Sequence, residues 1–90
     1  MSKAKKYRKK PVIVEAFRYE GRFNPSIPEW ARQAIGNRVL CADCFGRLLV
    51  RTTRGDLIAH AGDYIVRGIN GELYPVRADI FKKTYEEVEE

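Results

Sequence analysis

The stretch Gly62-Asp-Tyr-Ile-Val-Arg-Gly-Ile-Asn-Gly-Glu-Leu-Tyr-Pro-Val76 interleaves three glycines with Tyr64, Arg67 and Tyr74, and Arg77 follows directly. A guanidinium offers a planar fork of donors that fits a phosphate or carboxylate. Tyrosine rings can stack on a flat ligand or on arginine itself. The residues that could hold an anion are therefore Arg47, Arg51, Arg67 and Arg77, with Tyr64 or Tyr74. Arg67 and Tyr74 are expected to share one face of a hairpin. The glycines themselves do not read as a phosphate loop, which needs a strand, a glycine turn and then a helix. No helical pattern follows here. Asn70-Gly71 between two strand-like runs predicts a hairpin with a type I′ turn, both residues at positive φ.

Catalytic constellations are thin. The chain has one histidine, His60, and its only serines are Ser2 and Ser26. No paired-carboxylate motif accompanies them, so a nucleophile with its base cannot be assembled, and a non-enzymatic role is expected. Cys41 and Cys44 form a single CxxC, two ligands where a structural zinc site wants four. They fall in a strand-like run, where positions three apart face opposite ways unless a turn intervenes at Asp43. Reduced, partly buried and metal-free cysteines are expected, and no cofactor. An all-cysteine site across a dimer is the competing arrangement.

Positioning these residues falls to a mixed set of elements. Residues 12–19 are β-branched and aromatic and predict a strand, central because both faces are apolar. Glu15 within it calls for an arginine partner or solvent. Ser26-Ile-Pro-Glu29 matches a capping box with Pro28 in the first turn. Ile27, Trp30, Ala31, Ala34 and Ile35 then fall on one helical face, which predicts a short helix over 26–35 with Trp30 as a core anchor. Gly36 is its expected stop. Strands are expected over 38–44, 47–53, 56–60, 63–69 and 72–76, with Leu48 and Val50 on one face of the second. Turns fall at Phe45-Gly46 and Arg54-Gly55-Asp56. Pro75 predicts an edge strand or strand end. Residues 79–88 read as a short helix capped by Asp79, or as a last strand over 82–88. The fold class is α+β: five or six mostly antiparallel strands in one sheet, with one short helix and a short C-terminal helix or strand.

Charge is distributed unevenly. Residues 1–10 carry six basic side chains and no acid, while residues 11–90 hold 11 basic and 12 acidic ones, giving +6 and −1. The reading is a basic arm, 1–10, ahead of a single domain, 11–90. Lys5, Lys6, Arg8, Lys9 and Lys10 could grip phosphates of a nucleic acid, although the near-neutral body argues against a broad footprint. No apolar run approaches the roughly 18 residues of a membrane span. No apolar core of a signal peptide follows the basic residues before Glu15. An intracellular, non-enzymatic binding protein is the expectation.

Lys9-Lys-Pro-Val-Ile-Val-Glu-Ala-Phe17, the Gly62 to Pro75 string, Asp79-Ile-Phe81 and Thr84-Tyr-Glu86 resemble small phage and prophage proteins of unassigned function. The resemblance covers about half the chain. It implies a bacterial cytoplasm and a small antagonist or sponge that acts on a host system by binding. Three partners stay open: a small anionic, nucleotide-like ligand; nucleic acid through the arm; and a host protein inhibited by the domain surface. A homo-oligomer is compatible with each.

Overall fold

The computed structural model describes residues 4–6 and 11–88. Within them the chain runs β1 (Glu15–Arg18), α1 (Glu29–Gly36), β2 (Leu40–Ala42), β3 (Leu48–Thr52), β4 (Gly55–Ala59), β5 (Tyr64–Arg67), β6 (Leu73–Val76) and α2 (Ala78–Thr84). The class is α+β, as expected. The six strands, however, form two antiparallel three-stranded sheets, β1-β5-β6 and β2-β3-β4, where one sheet was expected. The reason is the core. Each sheet turns one face to a shared cluster that contains Leu40, Leu48, Val50 and Ala59 from one and Ile65 and Leu73 from the other. A single flat sheet of strands this short would leave those faces unmatched.

Alternation along each strand builds this core. Leu48 and Val50 are fully buried, and their cross-strand neighbours Ala59, Leu57 and Leu40 lie on the same inner face. In the second sheet the inner face carries Glu15, Phe17, Ile65, Arg67, Leu73 and Pro75 by register. Ala31 and Ala34 are the buried residues of α1, and their small side chains let the helix backbone approach the sheets. Truncating a fully buried side chain such as Leu48 or Ile65 to alanine would cost about 2–5 kcal/mol.

Several local expectations change. β1 lies at a sheet edge, not the centre: it pairs with β5 alone, and its ladder begins only at Glu15. Val12 and Ile13, which made both faces look apolar, stay exposed. α1 starts at Glu29, with extended Pro28 as its N-cap and no side-chain cap. Ser26 does not cap the helix; its amide donates to the Asn24 side chain at 2.8 Å. Asn70 does not adopt positive φ, so the β5–β6 connection is not type I′. Instead Gly71 donates to the Gly68 carbonyl at 3.0 Å, and Gly68 donates to that of Glu72 at 2.8 Å. That is a turn centred on Ile69-Asn70 with a bulge at Gly71, whose φ of 83° favours glycine. Residues 78–84 are helical, so the alternative C-terminal strand is absent from the described residues; Arg77 is the N-cap and Asp79 sits in the first turn. β6, with Pro75, is an edge strand as expected. Among the described residues no helix is long and apolar enough to cross a membrane.

The end of α1 is unusual in one residue. Val39 donates to the Ala34 carbonyl at 2.8 Å and Arg38 to that of Ile35 at 3.1 Å. These are the paired bonds of a Schellman ending with Asn37 as C-cap. Its left-handed position is occupied by Arg38, at φ 61°, and not by the expected glycine, which lies two residues earlier at Gly36. A left-handed residue with a Cβ costs about 1–2 kcal/mol, and glycine avoids most of that. Arg38→Gly should therefore raise the unfolding free energy by about 0.5–1 kcal/mol in urea titrations. A loss of stability would mean that the arginine side chain contributes more than its backbone costs.

Candidate functional site

Where the shared core ends, the inner faces of the two sheets leave an open cleft of about 780 Å³. This is within the usual range for small-molecule sites. One wall is α1, through Trp30, Gln33, Ala34 and Asn37. The β3–β4 hairpin contributes Arg51, Thr52, Thr53 and Arg54, and the β5–β6 hairpin contributes Arg67, Glu72 and Leu73. Apolar Leu57, Leu73 and Val39 line it beside these polar groups. The turns are built by short-range bonds. Thr52 accepts from the Arg54 amide at 3.2 Å and donates to the Gly55 carbonyl at 2.6 Å, which fixes the tip that carries Arg54.

The charged groups differ in how they are held. Arg67 faces inward and lies 3.8 Å from Glu15, which also accepts a 2.8 Å hydrogen bond from the Trp30 indole. Trp30 packs on Phe17 with ring centroids 5.5 Å apart. Among the described residues Arg51 and Arg54 have no carboxylate within ion-pair distance, so both guanidinium groups are available. Arg51 stands opposite Asp56 in the ladder, on the face away from buried Val50, and borders the cleft at its rim. The Glu72 carboxylate is folded onto its own turn, accepting from the Asn70 amide at 3.1 Å. The lining thus carries three arginines against one glutamate.

Of the residues expected to bind an anion, the cleft gathers Arg51, Arg67 and Tyr74. Tyr74 is not positioned as expected. Its ladder partner is Val66 while that of Arg67 is Leu73, so Tyr74 and Arg67 occupy opposite faces of the hairpin. The Tyr74 hydroxyl lies 3.3 Å from that of Tyr85. The other three residues lie elsewhere. Arg47 donates to Asp43 at 2.7 Å in the β2–β3 turn and covers the Phe45 ring. Tyr64 stacks on Phe81 of α2 at 3.9 Å, and Phe81 stacks on Tyr85, so these rings fasten the C-terminal helix. Arg77 lies 3.5 Å from Asp79 beside α2. Of the arm residues, Lys5 and Lys6 are exposed, while Arg8, Lys9 and Lys10 lie outside the described residues.

Trp30 and Arg54 were not among the expected ligand residues. The helical pattern makes Trp30 a core anchor, but it is only half-buried and forms a wall of the cleft. Arg54 stands out in the sequence only as part of a turn. No local pattern marks either residue, because they meet only where α1 crosses the β3–β4 and β5–β6 hairpins.

The cysteine expectation also shifts. A turn does intervene at Asp43: its side chain accepts from the Phe45 and Arg47 amides at 2.8 and 2.9 Å. Burial opposes ionisation of Asp43, but these amides and the Arg47 guanidinium outweigh it and hold the carboxyl below its ordinary range. Cys41 is half-buried in β2, whereas Cys44 sits exposed in the turn; both are free thiols. Among the described residues no group of three or more histidine, cysteine or acidic side chains is gathered for a metal.

No protein-family model, curated protein or solved structure matches the chain.

The tyrosine cluster under α2 has a pH consequence. Burial, the Tyr85 hydrogen bond and the nearby Tyr85 and Glu72 charges push the Tyr74 phenol up to about 12. A phenol in the unfolded chain ionises near about 10. Between those values the unfolded chain has released a proton that the folded one keeps, so the folded state loses stability as pH rises. Burial and the Asp43 charge raise Tyr19 as well, which acts in the same direction. Denaturant unfolding should therefore show full stability from this source below pH ~10 and a decline from there to ~12. Tyr74→Phe should flatten part of that decline; an unchanged slope would contradict the assignment.

Proposed function

We infer that this chain is a non-enzymatic binding protein whose cleft takes a small anionic, nucleotide-like ligand. The observation that carries this reading is the pairing, in one cleft, of the Arg51 and Arg54 guanidinium groups, which have no carboxylate partner among the described residues, with the half-exposed ring of Trp30. A phosphate group suits the arginines of the β3–β4 hairpin, Arg51 on the strand and Arg54 at the tip. A flat base suits Trp30 and the apolar lining, since stacking on an aromatic ring is worth about 1–3 kcal/mol per base. The resemblance to phage-type proteins fits a sponge that sequesters such a ligand from a host system in the bacterial cytoplasm. The basic arm gripping nucleic acid, and a host protein bound by the domain surface, are the competing readings.

Calorimetric titration with nucleoside mono-, di- and triphosphates and cyclic nucleotides separates them. Arg54→Ala and Trp30→Ala should each weaken nucleotide binding by about tenfold or more, as expected for a lost charge-assisted bond or a lost stacking surface. Removing residues 1–8 takes the formal charge from +5 to +1 by deleting Lys3, Lys5, Lys6 and Arg8. That truncation should leave nucleotide affinity within a few-fold. Binding that survives both cleft variants but is lost with the arm would move the function to nucleic acid.

A further inference from the structure

Glu15 touches two cleft residues without lining the cleft. Its two carboxylate oxygens are divided: one accepts the Trp30 indole N–H at 2.8 Å, the other lies 3.8 Å from the Arg67 guanidinium. It lines a smaller cavity of about 290 Å³ behind them, with Ile13, Val14, Gly68 and Ile69, and Arg67 lies between the two spaces. Arg67 is the only one of the three cleft arginines with a carboxylate partner among the described residues.

We propose that Glu15 is the positioning residue of the cleft: it fixes the Trp30 ring as the aromatic wall and masks the charge of Arg67 until an anion competes for it. One residue of the edge strand β1 thereby sets both the ring geometry and the electrostatic potential of a site formed by α1 and two hairpins. The Arg67 side chain is about half exposed, at 45%, so its guanidinium can exchange the carboxylate for an incoming group without unfolding anything. The consequence is a site whose resting charge rests mainly on Arg51 and Arg54 and whose full charge appears when a ligand displaces Glu15. This inference rests on the anion-binding reading for its purpose, but its physical content can be tested without any ligand.

Trp30 is the only tryptophan, so intrinsic fluorescence reports on this position alone. Iodide, an anion, and acrylamide, neutral, are compared as quenchers at low ionic strength. Glu15→Gln keeps an oxygen to accept from the indole but removes the charge over Arg67. It should raise the iodide quenching constant by about twofold, through the higher local anion concentration, and leave that of acrylamide unchanged. Adding Arg67→Gln to Glu15→Gln should cancel the gain. Glu15→Ala frees the ring as well, so both quenchers should gain. An iodide-to-acrylamide ratio in Glu15→Gln equal to that of the unaltered protein would overturn the proposal, as would a gain that persists in the double variant. With adenosine triphosphate as the probe, Glu15→Gln should tighten binding by about threefold or more, since a competing charge is gone. If the quenching ratio shifts but neither protein binds any nucleotide, masking by Glu15 stands and the nucleotide reading falls. If nucleotide binds and Glu15→Gln alters neither ratio nor affinity, the masking proposal falls and the nucleotide reading stands.

Discussion

Everything in this molecule depends on one apolar core shared by two sheets that are too small to stand alone. Leu40, Leu48, Val50 and Ile65 are withdrawn from water to 1% exposure or less, and they come from both sheets. Burying a side chain of this kind contributes about 1.5–3 kcal/mol, so a few of them outweigh any surface charge pair in the structure. The core also has an end. Leu73 is its only buried member on β6, while Leu57 on β4, which lines the same cleft, is already 46% exposed. Beyond that point the inner faces carry Thr52 and Arg67 in place of aliphatic side chains. The cleft is the part of the sheet interface that the sequence does not fill with hydrocarbon.

The interactions around the cleft are weak individually and matter through geometry. The Glu15–Arg67 pair is partly solvated on both sides, a setting in which ion pairs are worth about 0–1 kcal/mol. Its role is to fix where a charge and a ring sit. The hydrogen bond from Trp30 ties α1 to β1, and the Phe17–Trp30 contact supports the same joint with apolar area. On the far side of β5, the stack of Tyr64, Phe81 and Tyr85 performs the equivalent task for α2. Aromatic residues thus fasten both helices to one sheet, from opposite faces. The face under α2 is closed by its rings, while the face under α1 stays open at one end.

Much of this was legible in the sequence because glycine and alternation report local structure directly. Leu48 and Val50 on one face, the breaks near Gly46, Gly55 and Gly71, and the edge position of Pro75 all followed from residue type and period. What alternation does not encode is which strands share a sheet, and so two small sheets read as one. The type I′ turn failed because Asn-Gly is equally at home as the end of a turn and its bulge; Gly68, two residues before Asn70, set the register. The capping box failed because Asn24 captured Ser26 first. At the site, Arg51 and Arg67 were visible as arginines on strands. Trp30 and Arg54 were not, because their meeting depends on the crossing of α1 with two hairpin tips, a long-range arrangement without a local signature. Tyr74 was misplaced by one step of register, which moves a side chain to the other face.

The central claim is that the open end of the sheet interface is an anion-binding site. It is tested most directly by proton–nitrogen correlation spectra of the uniformly labelled chain titrated with adenosine triphosphate. The account predicts that the Trp30 indole N–H, the amides of residues 52–55 and those of residues 67–73 shift together along one binding isotherm, while residues around Phe81 stay in place. Shifts confined to the basic arm, or no shift at the Trp30 indole at saturation, would contradict it.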